Sequence, residues 1–308
     1  MQPKNRISRR NFLAASLALP AAAASTQFLT GCTPKNKDTY KPVTRFGFTT
    51  YTWGKDWDID TLIANCTKAK AFGVELRTSM SYKHGVELDL TPDERKEVRS
   101  RFYNSPVDLV SIACGERYDW PDKDKLAEAI ENTKAFIKLS RDIGSEGVRV
   151  FPNSFHDGIQ HEVTIAQIAR SMNILGKFAA DYGQTIELEA HGSVGTLPNL
   201  HSIMQQVNSP NVKIKLNSST RDTEGAGFAQ NFEMVRPYLG NTLHLHNLKS
   251  TRFPYQQQMD LLIATGWNGW QLLEASDKVD NRQVALIEQS KIWHQILANS
   301  LEIISNRT

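Results

Sequence analysis

The chain has little cysteine, with three such residues among 308. Cys32, Cys66 and Cys114 are too few to hold together a disulfide-rich scaffold, so that class of fold is excluded. Hydrophobic residues make up 40% of the chain and charged residues 22%, which excludes a polytopic membrane protein and suits a globular one. We expect Cys66 and Cys114 to be small buried residues on different elements.

The chain also lacks the excess of positive charge that nucleic-acid binding requires. Its formal charge is +3 at pH 7. Four basic residues and no acidic residue lie within residues 1–31, so residues 32–308 carry a formal charge of −1. A nearly neutral body argues against nucleic acid as a partner.

Residues 1–31 are typical of an export signal rather than of a folded segment. Arg9 and Arg10 precede an apolar run that is too short to span a bilayer comfortably. The paired arginines resemble a twin-arginine signal, and the Leu-Thr-Gly-Cys sequence that ends at Cys32 resembles a bacterial lipoprotein box. We therefore expect a lipid on Cys32 as the only membrane contact, a tether over residues 32–42, and a periplasmic or cell-envelope location.

From residue 45 onward, short apolar or β-branched runs alternate with longer stretches of helical period. The runs predict eight strands, at Arg45–Tyr51, Gly73–Leu76, Val107–Ala113, Gly147–Phe151, Thr185–Ala190, Val212–Asn217, Thr242–Asn247 and Gly269–Glu274. Helices are predicted between them, for example at Ile59–Ala71, Lys125–Ile143, Thr164–Tyr182 and Leu197–Gln206. Eight strand–helix units that close on themselves form an α/β fold, the (β/α)8 TIM barrel. We predict one such domain over residues 43–308.

A doubly wound open sheet is the alternative fold. The sequence has no Gly-x-Gly-x-x-Gly after the first predicted strand, which argues against a dinucleotide-binding version of that sheet. No internal repeat and no linker divides the body of the chain.

Chemically active side chains gather where the predicted strands end. In a (β/α)8 barrel the active site lies at the C-terminal ends of the strands. Residues two apart in a strand share a face, so Glu187 lies on the face of Glu189, and His244 on that of His246. Carboxylates and an imidazole that meet at one barrel mouth could hold a divalent ion such as Mn²⁺, Mg²⁺, Co²⁺ or Zn²⁺.

The order and types of these residues resemble the xylose isomerase-like barrel family over about residues 43–301. That family includes sugar-phosphate isomerases, ketose 3-epimerases and hydroxypyruvate isomerases, with endonuclease IV a distant relative. Its metal is bound by a Glu that ends strand five and a Glu that ends strand eight, and Glu189 and Glu274 match them. Strand seven supplies a His. Both His244 and His246 fit, and we favour His246 because it lies nearer the strand end.

Strand six departs from the family's pattern. The family usually has Asp there and His three residues later, where this chain has Asn217 and Thr220. Asn offers a carbonyl oxygen without charge, so the metal should bind more weakly. If Lys215 points inward, it could pair with Glu187 or stand where a cation would. The metal ligands that the resemblance implies are Glu189, Asn217, His246 and Glu274.

The resemblance implies proton transfer next to the carbonyl of a sugar, with Glu189 and Glu274 as catalytic acid and base and an enediolate stabilised by the metal. We expect an unphosphorylated sugar or keto-sugar as the substrate, because phosphorylated sugars are scarce outside the cytoplasm. The candidate substrate-binding residues are Trp53, Glu75, His156, His191 and Arg221. Each also has a structural interpretation, such as a barrel salt bridge from Glu75 to Arg149.

Three other functions stay open on the sequence alone. The same enediolate chemistry would serve a lyase or hydratase that acts on a keto-sugar. A barrel that has lost its catalysis would serve as a sugar-binding lipoprotein, which Asn217, Thr220 and the two lysines on the face of Asn217, Lys213 and Lys215, favour. Nuclease activity is the remotest, and an oligomer is compatible with the sequence. We expect the histidines on helices and loops to lie at the surface, namely His84, His161, His201 and His294.

Overall fold

The structure, a computed structural model, describes residues 44–305. The predicted export signal, lipid anchor and tether, over residues 1–42, lie outside that range. Eight strands are formed, at β1 (Arg45–Thr49), β2 (Gly73–Arg77), β3 (Asp108–Arg117), β4 (Gly147–Phe151), β5 (Thr185–Glu189), β6 (Val212–Lys215), β7 (Thr242–Leu245) and β8 (Trp270–Leu273).

Helices follow the strands in strict alternation. The α-helices are α1 (Ile59–Lys68), α2 (Pro92–Tyr103), α3 (Lys123–Ile143), α4 (His161–Asp181), α5 (Leu197–Met204), α6 (Phe228–Val235), α7 (Tyr255–Ala264) and α8 (Arg282–Ser305). Two short 3-10 helices lie at Thr220–Thr223 and Arg236–Tyr238. Within residues 44–305, none of the helices combines the length and the apolar character that crossing a bilayer demands.

The eight strands form one parallel sheet in the order β6-β5-β4-β3-β2-β1-β8-β7. Its two edges meet, because the His244 N–H donates to the Leu216 carbonyl (2.9 Å) and the Gly240 N–H to the Ile214 carbonyl (2.9 Å). The sheet therefore closes nearly completely. The (β/α)8 barrel prediction is confirmed, and the doubly wound open sheet is wrong.

The strand boundaries differ most from the prediction on β3, which continues four residues beyond the expected end, to Arg117. β1, β6, β7 and β8 end earlier than expected, by two, two, two and one residues, at Thr49, Lys215, Leu245 and Leu273. Polar residues predicted at the strand ends therefore lie in the loops that follow. Left-handed glycines follow three of the helices, namely Gly144 (φ 85°) after α3, Gly183 (φ 64°) after α4 and Gly266 (φ 73°) after α7, whereas Lys70 (φ 56°) takes that conformation after α1.

The barrel wall separates two different interiors. The outward side of the strands packs against the helices in one large apolar core, which includes Leu188 and Leu245 as their strand parity predicts. Cys66 and Cys114 are free and buried, as expected. Inside the barrel, Val110, Trp270 and Leu272 form only a small apolar cluster near the N-terminal ends of the strands.

Gly47 marks the closest approach of β1 to its neighbours. It is the register partner of Gly73, and a methyl group there would overlap the Gly73 carbonyl and the Leu272 side chain. We therefore expect Gly47→Ala to lower the free energy of unfolding by about 1–3 kcal/mol, as overpacking does. Gly115→Ala is the control, because a methyl group at that exposed strand position meets no atom within 4 Å. Equal midpoints of urea unfolding for the two variants would contradict the prediction.

Candidate active site

Three side chains meet at the C-terminal mouth of the barrel. Glu189 ends β5, His244 is the third residue of β7, and Glu274 follows β8. The Nδ1 atom of His244 lies 3.4 Å from Oε1 of Glu189 and 3.6 Å from Oε2 of Glu274. One donor atom from each residue lies within 4.8 Å of the others. The structure thus brings together the two glutamates that the sequence singled out.

Arg149 supplies the positive charge beside Glu189. Its guanidinium is fully buried on β4, its Nε lies 2.8 Å from Oε2 of Glu189, and its Nη1 donates to the Cys114 carbonyl (2.9 Å). Burial opposes ionisation of Glu189, but the charges of Arg149 and His244 outweigh it and lower the pKa of that carboxyl. Arg149 therefore pairs with Glu189 and not, as suggested from the sequence, with Glu75.

Glu75 lies beneath this group with no exposed surface. Its carboxylate accepts hydrogen bonds from four side chains, namely Lys215 (2.8 Å), His244 (2.6 Å), Ser111 (2.6 Å) and Thr49 (3.2 Å). Both of its oxygens are occupied and covered, so the geometry does not support the prediction that Glu75 contacts a substrate. It favours the alternative of a barrel salt bridge.

Lys215 points inward, as its strand parity allows. Besides Glu75, its ammonium contacts Oγ1 of Thr242 (2.5 Å) and lies 3.8 Å from Oε2 of Glu187. The Glu187 carboxylate also accepts hydrogen bonds from the Asn241 and Thr242 N–H groups (2.8 and 3.0 Å) and from the Thr242 hydroxyl. The expected proximity of Lys215 and Glu187 is present, but Glu75 is the closer partner.

The two remaining candidate ligands lie on the adjacent loops. Nε2 of His246 is 3.1 Å from Oδ1 of Asn217, and Nδ1 of His246 is 3.2 Å from the Glu274 carbonyl. If Nδ1–H donates to that carbonyl, the Nε2 lone pair faces another acceptor. A shared cation or a turned amide would resolve this. The structure therefore favours His244, which the sequence left open beside His246, and His246 as a ligand stays a prediction.

The donor set fits a divalent ion. Among the described residues, eight buried side-chain nitrogen and oxygen atoms make no hydrogen bond, and half of them lie here. Two of these, Nε of Arg149 and Oε2 of Glu189, are paired with each other 2.8 Å apart, which leaves Nη2 of Arg149 and Nδ1 of His244. Ligand atoms about 2.1 Å from a tetrahedral ion lie about 3.4 Å apart. The separations of 3.4 and 3.6 Å around Nδ1 of His244 match that spacing.

His191 and His156 lie above this group, on loops that contact each other. Nδ1 of His191 is 3.3 Å from Oδ1 of Asn153, and burial lowers the pKa of His191. Nε2 of His156 is 2.9 Å from Oδ2 of Asp119, which also binds Arg117 (2.8 Å). We did not single out Asp119 from the sequence. The only signal is its position two residues after β3.

Trp53 and Arg221 differ in accessibility. Trp53 is 3% exposed, and its Nε1–H donates to the Asp277 carbonyl (2.8 Å), so it packs under the rim instead of presenting a ring face for a sugar. Arg221 lies in the 3-10 helix after β6, is partly buried, and forms no ion pair within residues 44–305. Of the two, only Arg221 remains available to a substrate.

A buried histidine supports the rim at the end of β2. The Nε2–H of His84 donates to the Arg77 carbonyl (3.0 Å), and its Nδ1 accepts the Val86 N–H (3.1 Å). The Arg77 guanidinium in turn lies 3.8 Å from Glu274. Burial lowers the pKa of His84 to about 4, so the expectation of a surface histidine is wrong.

A family model described as a xylose isomerase-like TIM barrel matches residues 63–296. The chain belongs to the xylose isomerase-like TIM barrel family. The resemblance of its strand-end residues to that family is therefore confirmed at the level of the fold. No curated protein matches the chain in sequence.

Three solved structures illustrate what this xylose isomerase-like barrel is similar to. An L-ribulose 3-epimerase has a TM-score of 0.74 and 14% identity, covering 86% of this chain and 98% of that one. The 3-keto-D-glucoside 4-epimerase from E. coli has a TM-score of 0.68 and 14% identity, covering 82% and 99%. The IOLI protein with a bound zinc atom has a TM-score of 0.71 and 15% identity, covering 83% and 99%. At these identities the likeness shows the fold alone.

The neutral, buried state of His84 predicts a pH-dependent stability. Its folded pKa of about 4 lies below the ordinary 6.5, so between these values the unfolded chain binds more protons. We expect this histidine to contribute about 3 kcal/mol of stability above pH 6.5, lost as pH falls toward 4. His84→Gln should flatten that part of the curve of unfolding free energy against pH, whereas the exposed-site variant His161→Gln should keep it. An unchanged slope in His84→Gln would contradict the assignment.

Proposed function

We propose that this protein is a divalent-metal-assisted sugar isomerase or epimerase. The observation that carries the proposal is the convergence of Glu189, His244 and Glu274 at the barrel mouth, where Nδ1 of the buried His244 faces both carboxylates without a hydrogen bond. Buried polar atoms in structural sites usually have a partner, so this arrangement is typical of a site that binds something further.

The similar solved structures support the same reaction class. Two of the three are named as epimerases of a ketose or of a keto-sugar, and the third carries a zinc atom. Their low identity leaves the substrate of this chain a proposal. We propose an unphosphorylated ketose or keto-sugar, since we also propose that the chain is exported and anchored through Cys32.

The different surroundings of Glu189 and Glu274 indicate different roles in the reaction. A divalent ion held by Glu189, His244 and Glu274, with Asn217 and His246 beside them, would polarise the sugar carbonyl and favour an enediolate. Glu189 is 1% exposed and held as an anion by Arg149, which fixes its position. The Glu274 side chain is 12% exposed and free to reach the mouth, so it is the better placed to take a proton from the substrate.

Epimerisation also needs a group that returns the proton on the other face of the enediolate. Glu189 ends β5 and Glu274 follows β8, two strands that do not pair in the sheet, so a substrate bound over the mouth would meet the two carboxylates from different sides. Because Glu189 is held as an anion, it would have to take up a proton before it could return one. His191, His156 and Arg221 lie on the surrounding loops, where they would hydrogen-bond to hydroxyl groups.

A second candidate function is sugar binding without catalysis. Arg149 and Lys215 already place two positive charges within the network of Glu75, Glu187 and Glu189. These cations reduce the attraction of the mouth for a divalent ion. A keto-sugar lyase would use the same enediolate and differ only in the loss of a β-leaving group.

Substitution of Asn217 tests the metal ligand set by gain of affinity. Asn217→Asp adds a negative charge 3.1 Å from Nε2 of His246, so we expect tighter binding of Zn²⁺ or Mn²⁺ than in the wild type. Glu274→Gln should weaken binding, and Glu233→Gln, on an exposed helix face, should leave it unchanged. The measurement is isothermal titration calorimetry after chelation, with elemental analysis of about one ion per chain. Equal affinities in wild type, Asn217→Asp and Glu274→Gln would exclude this ligand set.

Exchange of a carbon-bound proton tests the reaction itself. With Mn²⁺ or Zn²⁺ added in D₂O, we expect the protein to exchange the proton next to the carbonyl of at least one free ketose or keto-glucoside. Glu274→Gln should slow that exchange by about 100-fold or more, because general acid–base catalysis is removed. Glu233→Gln should exchange at the wild-type rate. If no sugar exchanges while calorimetry shows sugar binding, the non-catalytic function is correct instead.

A further inference from the structure

A chain of buried charges leads from the barrel interior to the candidate metal site. The Lys215 ammonium donates to Oε2 of Glu75 (2.8 Å), and Nε2 of His244 lies 2.6 Å from Oε1 of the same carboxylate. All three side chains have no exposed surface. Water is therefore excluded, and each group takes its orientation from its neighbours.

The other hydrogen bonds of Glu75 decide which partner donates in its contact with His244. Oε2 accepts from Lys215 and from the Ser111 hydroxyl, and Oε1 accepts from the Thr49 hydroxyl. A carboxylate held by three donors remains an acceptor toward the fourth partner, so Nε2 of His244 carries hydrogen both in the neutral ring and in the imidazolium. The other ring nitrogen, Nδ1, then points toward Glu189 and Glu274 and has no hydrogen-bond partner there.

We propose that Glu75 and Lys215 are positioning residues that fix the ring of His244, so that Nδ1 is the atom offered to a divalent ion. This inference rests on the proposed metal-dependent function and assigns Glu75 a role through His244 instead of a contact with substrate. A carboxylate that binds the second nitrogen of a ligating histidine sets its tautomer and orientation, and its loss typically weakens metal binding 10- to 100-fold.

Lys215 completes the arrangement by balancing the charge of Glu75. A buried carboxylate without a countercharge is costly, and Lys215 places a permanent positive charge 2.8 Å from Oε2 of Glu75, the oxygen that His244 does not contact. The Thr242 hydroxyl lies 2.5 Å from the same ammonium and helps to fix its position. The pair thus acts as one unit, and removing both charges together should disturb folding less than removing either alone.

Zinc affinity provides the first test. We expect Glu75→Gln to weaken binding of Zn²⁺ by 10- to 100-fold. If that variant folds poorly, the double variant Glu75→Gln/Lys215→Met restores the charge balance and should weaken binding as much. Glu116→Gln is the control, because Glu116 is a half-buried glutamate on β3 that accepts from Asn132 (3.3 Å) and has no hydrogen bond or ion pair with His244, Glu75 or Lys215. Its affinity should stay within about threefold of the wild type. Affinities of both Glu75 variants within that range would overturn the inference and leave the proposed function intact.

The second test reads the histidine directly and needs no metal. In protein labelled with ¹⁵N-histidine, with His244→Gln used to assign the signal, we expect a slowly exchanging Nε2–H in the zinc-free wild type and its loss in Glu75→Gln. In the zinc-loaded wild type the same Nε2–H should remain, with Nδ1 bearing the metal. If the wild type binds no Zn²⁺, the metal-dependent function fails while the zinc-free spectrum still decides the positioning. Hydrogen on Nδ1 alone, or zinc at Nε2, would overturn the inference.

Discussion

The pairing of buried charges inside the barrel is the constraint on which the rest of this structure depends. Barrels of this kind usually fill their interior with layers of branched apolar side chains. Here the apolar part is reduced to a small cluster at one end, and two salt bridges, Lys215 with Glu75 and Arg149 with Glu189, occupy the middle. Burying an ion is tolerated only when its partner is present, and breaking one such pair costs about 3–5 kcal/mol. The positions of these residues are therefore mutually dependent.

Much of the fold could be predicted from the sequence because it follows from local pattern. Alternating strand and helix textures define the eight units, and period two correctly assigned Leu188 and Leu245 to the helix side. The same rule placed Glu189 inward. What period two cannot supply is depth along the barrel axis, which depends on the stagger between strands. For that reason Glu75 was predicted at the mouth, whereas it lies in a covered layer below it.

The sequence also could not predict which groups form ion pairs and hydrogen bonds with each other. Arg149 was expected to reach Glu75, but its long side chain contacts Glu189 on the neighbouring strand instead. His84 was expected at the surface because it lies on a loop stretch, yet the backbone folds over it and satisfies both ring nitrogens. Such contacts come from loops that return to the rim, and no periodicity marks them. The distinction between His244 and His246 likewise depends on where β7 ends.

The junction between β6 and β7 is where the closure of the barrel is held by the fewest contacts. Within the described residues this seam has an isolated bridge and a few backbone hydrogen bonds in place of a full ladder. Glu189 and Asn217 stand on one side of it, and His244 and Glu274 on the other. A cation bound by ligands from both sides would connect the two edges of the sheet where they share few backbone hydrogen bonds. Occupancy of the metal site and closure of the barrel would then be coupled.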